Sequence, residues 1–227
     1  MRRSTLADGR VAVVTFTERA TGDLAVDGDP AALAATRRSV VDLPWTTLRQ
    51  VHGSRVVDVV EPGDLAGSEA DAAVTTTTGA VLAVQAADCA PVALVHPAGG
   101  IGVVHAGWRG LVAGVIDEAA GRLRSLCGPG AIDGYLGPCI HAECYEFSDD
   151  DLATIVDLFG DAVRGRTAGG RAALDVPATV AAACRAAGIE LDTGAAVCTS
   201  CAADRCFSHR ARRDTGRHAV VAWIEPP

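Results

Sequence analysis

The run His105-Ala106-Gly107-Trp108-Arg109-Gly110 closes a stretch of small apolar residues, Ile101 to Val104, sixteen residues after Asp88-Cys89. A histidine where a buried strand runs out, followed at once by glycines, is well placed to present its imidazole at a site. Cys89 stands in the same relation to its own apolar run, Ala80 to Ala86, and Gln50-Val51-His52-Gly53 sets a second histidine in a turn. Two imidazoles and a thiol at strand edges form a credible three-ligand metal site with one position left open. The opposing reading is a hydrogen-bonded core histidine and an inert buried cysteine, the commoner fate of such residues. Spacing alone leaves both open, because the three lie far apart in the chain.

Several other residues carry chemistry by type. Gly107 to Gly110 sit where a helix begins, and backbone amides beside the Arg109 guanidinium suit an anion such as phosphate. Equally, the glycines could permit a turn while Trp108 packs and Arg109 pairs with an acid. Asp88 could orient an imidazole or act as a base, but alternation along an extended chain turns it away from Cys89. Cys198-x-x-Cys201, with Cys206 and His209 downstream, fits a second zinc site or a redox pair, yet no second Cys-x-x-Cys exists, which favours structural thiols. Arg205, Arg210, Arg212, Arg213 and Arg217 read as a solvated basic face, with an anion-binding rim as the alternative. Cys127, Cys139 and Cys184 read as packing residues. His96, His141 and His218 read as ordinary surface or hydrogen-bonded histidines.

The elements that must position these groups come from a chain that is 49% apolar but only 4% aromatic, so its core is built from Ala, Val, Leu and Ile. A net charge of −8 argues against nucleic acid as a partner. Met1-Arg2-Arg3 is not followed by the apolar run of a signal peptide, and no segment is long and apolar enough to span a bilayer. A cytoplasmic protein is expected, with its eight cysteines mostly reduced.

Period-two and apolar runs predict strands over Val11–Phe16, Val56–Val60, Ala72–Thr76, Val81–Ala86, Val92–Val95, Ile101–Val104, Ile132–Leu136, Ala195–Thr199 and Ala219–Ile224. A hairpin is expected at Pro97-Ala98-Gly99-Gly100. Helices are predicted from Asp29-Pro30 to Val41, from Leu111 to Leu126 before Gly128-Pro129, from Ser148 to Gly160, and from Pro177 to Ala187 before Gly188. Arg164 to Arg171 reads as an exposed loop. Strand runs and helices without a linker predict a single α+β domain with mixed sheets over residues 1–227.

The quoted blocks resemble a known family. Gln50-Val51-His52-Gly53, Ala87-Asp88-Cys89-Ala90-Pro91-Val92 and His105 to Gly110 are similar to the three signature blocks of the YfiH-type family. That family is also called the laccase-domain, polyphenol-oxidase or peptidoglycan-editing-factor family. Gly137-Pro138-Cys139-Ile140, Cys144-Tyr145-Glu146, Cys198-Thr199-Ser200-Cys201, Phe207-Ser208-His209-Arg210 and Thr215-Gly216-Arg217 match its later blocks, so the resemblance covers roughly residues 10 to 225. It implies a layered α/β/β/α sandwich and a zinc site at His52, Cys89 and His105. It also implies phosphorolysis of adenosine, inosine and methylthioadenosine, with adenosine deamination as a side activity. The implied partners are small molecules, a purine nucleoside and phosphate, bound by a monomer or small homo-oligomer. Cys89, His105 and Arg109 are then the expected catalytic residues, with Arg109 and Arg19 as substrate-binding arginines. The family's Gly-Gly-Val-Ser and Asn-Leu segment is missing after Arg19, where the chain passes from Ala20-Thr21-Gly22 towards Asp27-Gly28-Asp29.

Two other chemistries compete. Copper-dependent polyphenol oxidation is what the laccase name implies, but a multicopper centre needs many histidines in closely spaced pairs. This chain has six histidines and no His-x-His; copper at the zinc triad remains an alternative, because copper(II) outcompetes zinc at many nitrogen sites. A Cys-His amide hydrolase, acting for instance in peptidoglycan precursor editing, would use Cys89 as nucleophile and His105 as base, on a fold similar to that of cysteine-type toxin deamidases.

Overall fold

The central strands are short and apolar on both faces, and the fold buries both. The computed structural model describes residues 1–227. Its strands are β1 (Arg2–Thr5), β2 (Val11–Phe16), β3 (Trp45–Thr47), β4 (Val56–Asp58), β5 (Ala72–Thr75), β6 (Val81–Ala86), β7 (Ala90–His96), β8 (Gly100–Ala106), β9 (Ile132–Leu136), β10 (Arg164–Arg166), β11 (Ala172–Leu174), β12 (Ile189–Asp192) and β13 (His218–Glu225). The helices are α1 (Pro30–Val40), α2 (Trp108–Val112), α3 (Val115–Cys127), α4 (Asp149–Phe159), α5 (Val176–Ala186) and α6 (His209–Arg212). A five-stranded sheet runs β1-β2-β13-β6-β3 and a six-stranded sheet runs β12-β9-β7-β8-β5-β4. Both are mixed: β3 with β6, β4 with β5 and β12 with β9 are parallel, and the other pairs antiparallel.

Strand alternation assigns each face to a layer. In β13, Val220, Ala222 and Ile224 join Leu82 and Val84 of β6, and Ala93, Val95, Ile101 and Val103 of the other sheet, in the core between the sheets. Ala219, Val221 and Trp223 point the other way, with Val13, Trp45 and Val81, and are covered by Leu33 and Val40 of α1. Val92, Leu94 and Val104 turn outward to Ile116, Ala119 and Leu123 of α3, with Ile155 of α4 and Val180 of α5 completing that layer. The order is α/β/β/α, as expected. Ala and Val predominate where sheet meets sheet because small side chains let two pleated surfaces approach closely.

The helix starts follow local chemistry. Asp29 accepts from the Ala32 amide at 2.7 Å and Ser148 from the Asp151 amide at 3.2 Å, each satisfying an amide that the first turn leaves unpaired. The helical pattern from Leu111 is not one helix, however. Gly114 takes φ +84° and breaks it, so α2 ends at Val112 and α3 begins at Val115. Arg164–Arg171 is not wholly a loop, because β10 pairs antiparallel with β11 across a turn. Ala195–Thr199 forms no strand; the edge strand is β12, and Cys198 makes an isolated bridge to Cys139. His218 is no surface histidine: it is fully buried and neither ring nitrogen has a partner. No helix is long and apolar enough to cross a membrane.

Candidate metal centre

The site forms where the chain passes between the two sheets. Cys89 lies in the tight connection from β6 of one sheet to β7 of the other, and His52 in the connection from β3 to β4, which also changes sheet. His105 is carried on β8 itself, opposite Pro91 of β7. Gln50 ties the His52 loop to β6: its amide donates to the Gln85 carbonyl and accepts from the Gln85 amide, both at 2.8 Å. The three expected ligands converge. Their ligand atoms lie within 4.8 Å of one another, with Cys89 Sγ 3.8 Å from His52 Nε2 and the two rings edge to face at 4.9 Å.

One fully buried carboxylate organises this convergence. Asp71 Oδ1 accepts from the His52 amide at 2.9 Å and pairs with His105 Nδ1 at 2.8 Å. Its Oδ2 accepts from the amides of Val51 at 3.1 Å and Gly53 at 2.8 Å. The loop amides hold His52 at φ +60°, a left-handed backbone that a non-glycine residue adopts only under constraint. The bond to Nδ1 fixes the His105 ring and leaves Nε2 facing the cysteine, the usual carboxylate–histidine arrangement behind a metal ligand. Burial alone would raise the Asp71 carboxyl; the His105 bond and the loop amides outweigh it and hold it below the ordinary carboxylate range.

The thiol and its neighbour are mutually charged. Burial alone would push the Cys89 thiol up, but the charge and hydrogen bond of His105, with help from His52, bring it down. Burial likewise opposes charge on His105, yet the Cys89 thiolate and Asp71 raise it. A metal would displace the proton shared by this pair, leaving a thiolate and two neutral imidazoles as the donor set, which fits zinc. Gly107 makes room for it. A Cβ there would stand 2.8 Å from His52 Cδ2 and 3.3 Å from Cys89 Sγ.

The triad floors an open cleft of about 480 Å³, also lined by Asp27, Arg49, Gln85, His209 and Arg217. That volume suits a small organic ligand. Ala25, Val26 and Asp27, from the shortened segment after Arg19, form part of its wall. Arg19 itself does not line it. Its guanidinium donates to Asp214 at 2.7 Å and to the Cys206 carbonyl, and lies over the Phe207 ring at 4.3 Å. Arg109 is exposed, stacked over Trp108 at 4.2 Å, and makes no ion pair. Trp108 and Tyr145 wall a small second recess at Cys89, and Arg210 lies over Tyr145 at 5.1 Å.

Asp88 does turn away from the triad. Its carboxylate takes the Thr199 hydroxyl at 2.6 Å and the Arg210 amide at 2.6 Å, which pins the strained turn (φ +108°) just before Cys89. Sequence reasoning missed Asp71. Its signal is an acidic residue between Ala70 and Ala72 at the mouth of a fully buried strand, where a carboxylate must find buried donors.

A layered α/β/β/α protein with a thiolate–imidazole triad open to a cleft is thereby defined. The family model described as multi-copper polyphenol oxidoreductase laccase matches residues 9–225, and the chain belongs to this laccase-domain, or YfiH-type, family. It is 37% identical to a purine nucleoside phosphorylase of Xylella fastidiosa, over 99% of this chain and 92% of that one. It is also 37% identical to a purine nucleoside phosphorylase of Streptomyces coelicolor, over 96% and 92%. The crystal structure of the Bacillus licheniformis hypothetical protein YfiH superposes with a TM-score of 0.82 at 24% identity, covering 97% of this chain and 98% of that one.

Proposed function

We propose that the cleft binds a purine nucleoside and cleaves it with phosphate, with one zinc held by His52, Cys89 and His105. The observation that carries this reading is the convergence of a thiolate and two oriented imidazoles in a nucleoside-sized cleft, in a chain whose relatives are named purine nucleoside phosphorylase. When bound, zinc supplies a Lewis acid and lowers the pKa of water.

The chain's own groups divide the remaining work. A phosphate oxygen attacks the sugar carbon that bears the base, and the bond pair of the breaking C–N bond leaves with the base, which takes up a proton. His209 is the one imidazole lining the cleft outside the triad, and so the group to hold that proton. Asp27, the one carboxylate in the lining, is placed to accept from a sugar hydroxyl or a base amino group. Arg109 and Arg210, free of acidic partners, flank the recess at Cys89 and fit a phosphate held at its mouth. Adenosine, inosine and methylthioadenosine are the proposed substrates, with adenosine deamination as a side activity, in a cytoplasmic enzyme.

The test is release of free base from adenosine or inosine by zinc-loaded protein, with and without phosphate. Arg109→Ala should lower phosphate-dependent kcat/KM by roughly 10- to 100-fold, the worth of a lost hydrogen bond to a charged group, while zinc stays bound. Cys89→Ala should abolish both metal binding and turnover. Zinc-loaded protein that releases no base in phosphate overturns the proposal.

One observation favours a second reading. Asp71, His105 and Cys89 also form an acid–imidazole–thiolate series, the arrangement of a cysteine nucleophile with an oriented base. A metal would occupy the same thiolate, so stoichiometric zinc and loss of activity to a chelator exclude amide hydrolysis by Cys89. Copper oxidation has less support. Three imidazoles line the cleft, one mononuclear site's worth.

A further inference from the structure

A second group of thiols lies outside the cleft, and its members come from two distant parts of the sequence. Glu143, Cys144, Cys198 and Cys201 present one ligand atom each, all within 4.8 Å of one another. Cys144 Sγ is 3.5 Å from Cys201 Sγ, and Cys201 Sγ is 3.9 Å from Glu143 Oε1. The downstream residues that the sequence offered as companions are elsewhere: Cys206 is buried apart, and His209 lines the cleft.

The backbone fixes the buried member of the group. Cys198 is buried, and burial holds its thiol above the ordinary range, with the amides of His141, Ser200 and Cys201 opposing that only in part. A metal ligand must be thiolate, so a cation bound here would displace the thiol protons. The segment is fixed from behind by the Cys139–Cys198 bridge, in which the Cys139 amide meets the Val197 carbonyl at 3.2 Å and the Thr199 amide meets the Cys139 carbonyl at 3.0 Å. Three thiols cannot all pair as disulfides within the group. Three thiolates and a carboxylate do complete a tetrahedral set, and a Cys-x-x-Cys turn is the usual way to supply two of them.

We propose that Glu143, Cys144, Cys198 and Cys201 form a second, structural metal site that takes Zn²⁺. All four tetrahedral positions come from the protein, so the site has no catalytic opening. Its task is mechanical. It joins the turn after β9 to the segment carrying Thr199, whose hydroxyl holds Asp88 and thereby the turn presenting Cys89. The inference is independent of the reaction assigned to the cleft.

The experiment measures zinc per chain in protein purified under reducing conditions and dialysed against Zn²⁺. A His52→Ala/Cys89→Ala variant should keep about one zinc, bound at the cluster, where tetrahedral sites hold a single ion. Adding Cys201→Ser to that background should remove it. Cys201 is exposed, so this substitution leaves the packing intact, and an unchanged circular dichroism spectrum checks that it has. Cobalt in the His52→Ala/Cys89→Ala protein should give the strong ultraviolet charge-transfer absorption of several thiolates, diminished by Cys144→Ser. Glu143→Gln should weaken zinc without abolishing it. Zinc content unaffected by Cys201→Ser overturns the proposal. So does a Cys144–Cys201 disulfide recovered by peptide mapping from protein without metal at the cluster.

Discussion

Replacing Asp71 by Asn changes one atom, yet every hydrogen bond to that side chain is at stake. Each carboxylate oxygen accepts two bonds, one pair from the His52 amide and His105 Nδ1, the other from the Val51 and Gly53 amides. If Oδ2 becomes the amide nitrogen, both loop-amide bonds are lost; if Oδ1 does, the His52 amide loses its acceptor and His105 keeps a bond only by accepting at Nδ1, with its proton moved to Nε2. Hydrogen bonds to a charged group contribute about 1.5–3 kcal/mol each, so the loss is roughly 1.5–6 kcal/mol, before any relaxation of the loop. That is a large part of the about 5–15 kcal/mol by which a domain is stable. The left-handed His52 would also lose its tether, and His105 the partner that fixes its ring. Zinc affinity should therefore fall by about 10- to 100-fold, as at other sites stripped of an outer carboxylate. Urea unfolding with and without Zn²⁺ measures the first quantity, and a chelator-competition titration the second. If Asp71→Asn unfolds within about 1 kcal/mol of the parent and binds zinc within about threefold, Asp71 does not organise the site as argued here.

Two further outcomes follow from the same structure. Gly107 has φ −68°, so Gly107→Ala strains no backbone. Its Cβ would press on His52 Cδ2 and Cys89 Sγ, so zinc binding should weaken while metal-free stability barely moves; an equal loss of both in parallel titrations and melts contradicts this. Burial pushes the His218 imidazole down to about 4. The folded form binds its proton less readily than the unfolded chain, so His218 costs no stability above pH 6.5 and about 3 kcal/mol as pH falls from there to 4. Stability measured against pH for the parent and for His218→Leu should diverge over that interval, and parallel curves would defeat the assignment.

The elements that sequence patterning located best are strands buried on both faces and a helix whose start is punctuated. The run Val81–Ala86, the pair flanking Pro97–Gly100 and the helix opened by Asp29-Pro30 all emerged close to expectation. Short edge elements did not. Arg2–Thr5 has the exposed polar pattern of a loop and becomes a strand only because β2 offers it a partner. Arg164–Arg166 does the same against β11. At the site, His52, Cys89 and His105 were legible by type and block, and the structure brings the three together. Asp71 and the cleft residues Asp27 and Arg49 were not, because nothing local to them says that two sheets meet there. Arg19 was legible as a conspicuous arginine, but it spends its charge on Asp214.

The chain crosses between its sheets close to where the triad forms, and this bears on the unfolded protein as much as on the folded one. An ion gripped by His52 and Cys89 closes a loop spanning 37 residues of sequence. Such a tie acts as a removable cross-link: it deprives the disordered chain of configurations, by about 3–4 kcal/mol for a permanent link of comparable span. Metal supply would then govern how long a newly made chain survives proteolysis, apart from whether it turns over any substrate. Cells short of the ion should hold less of the protein rather than more of an idle form.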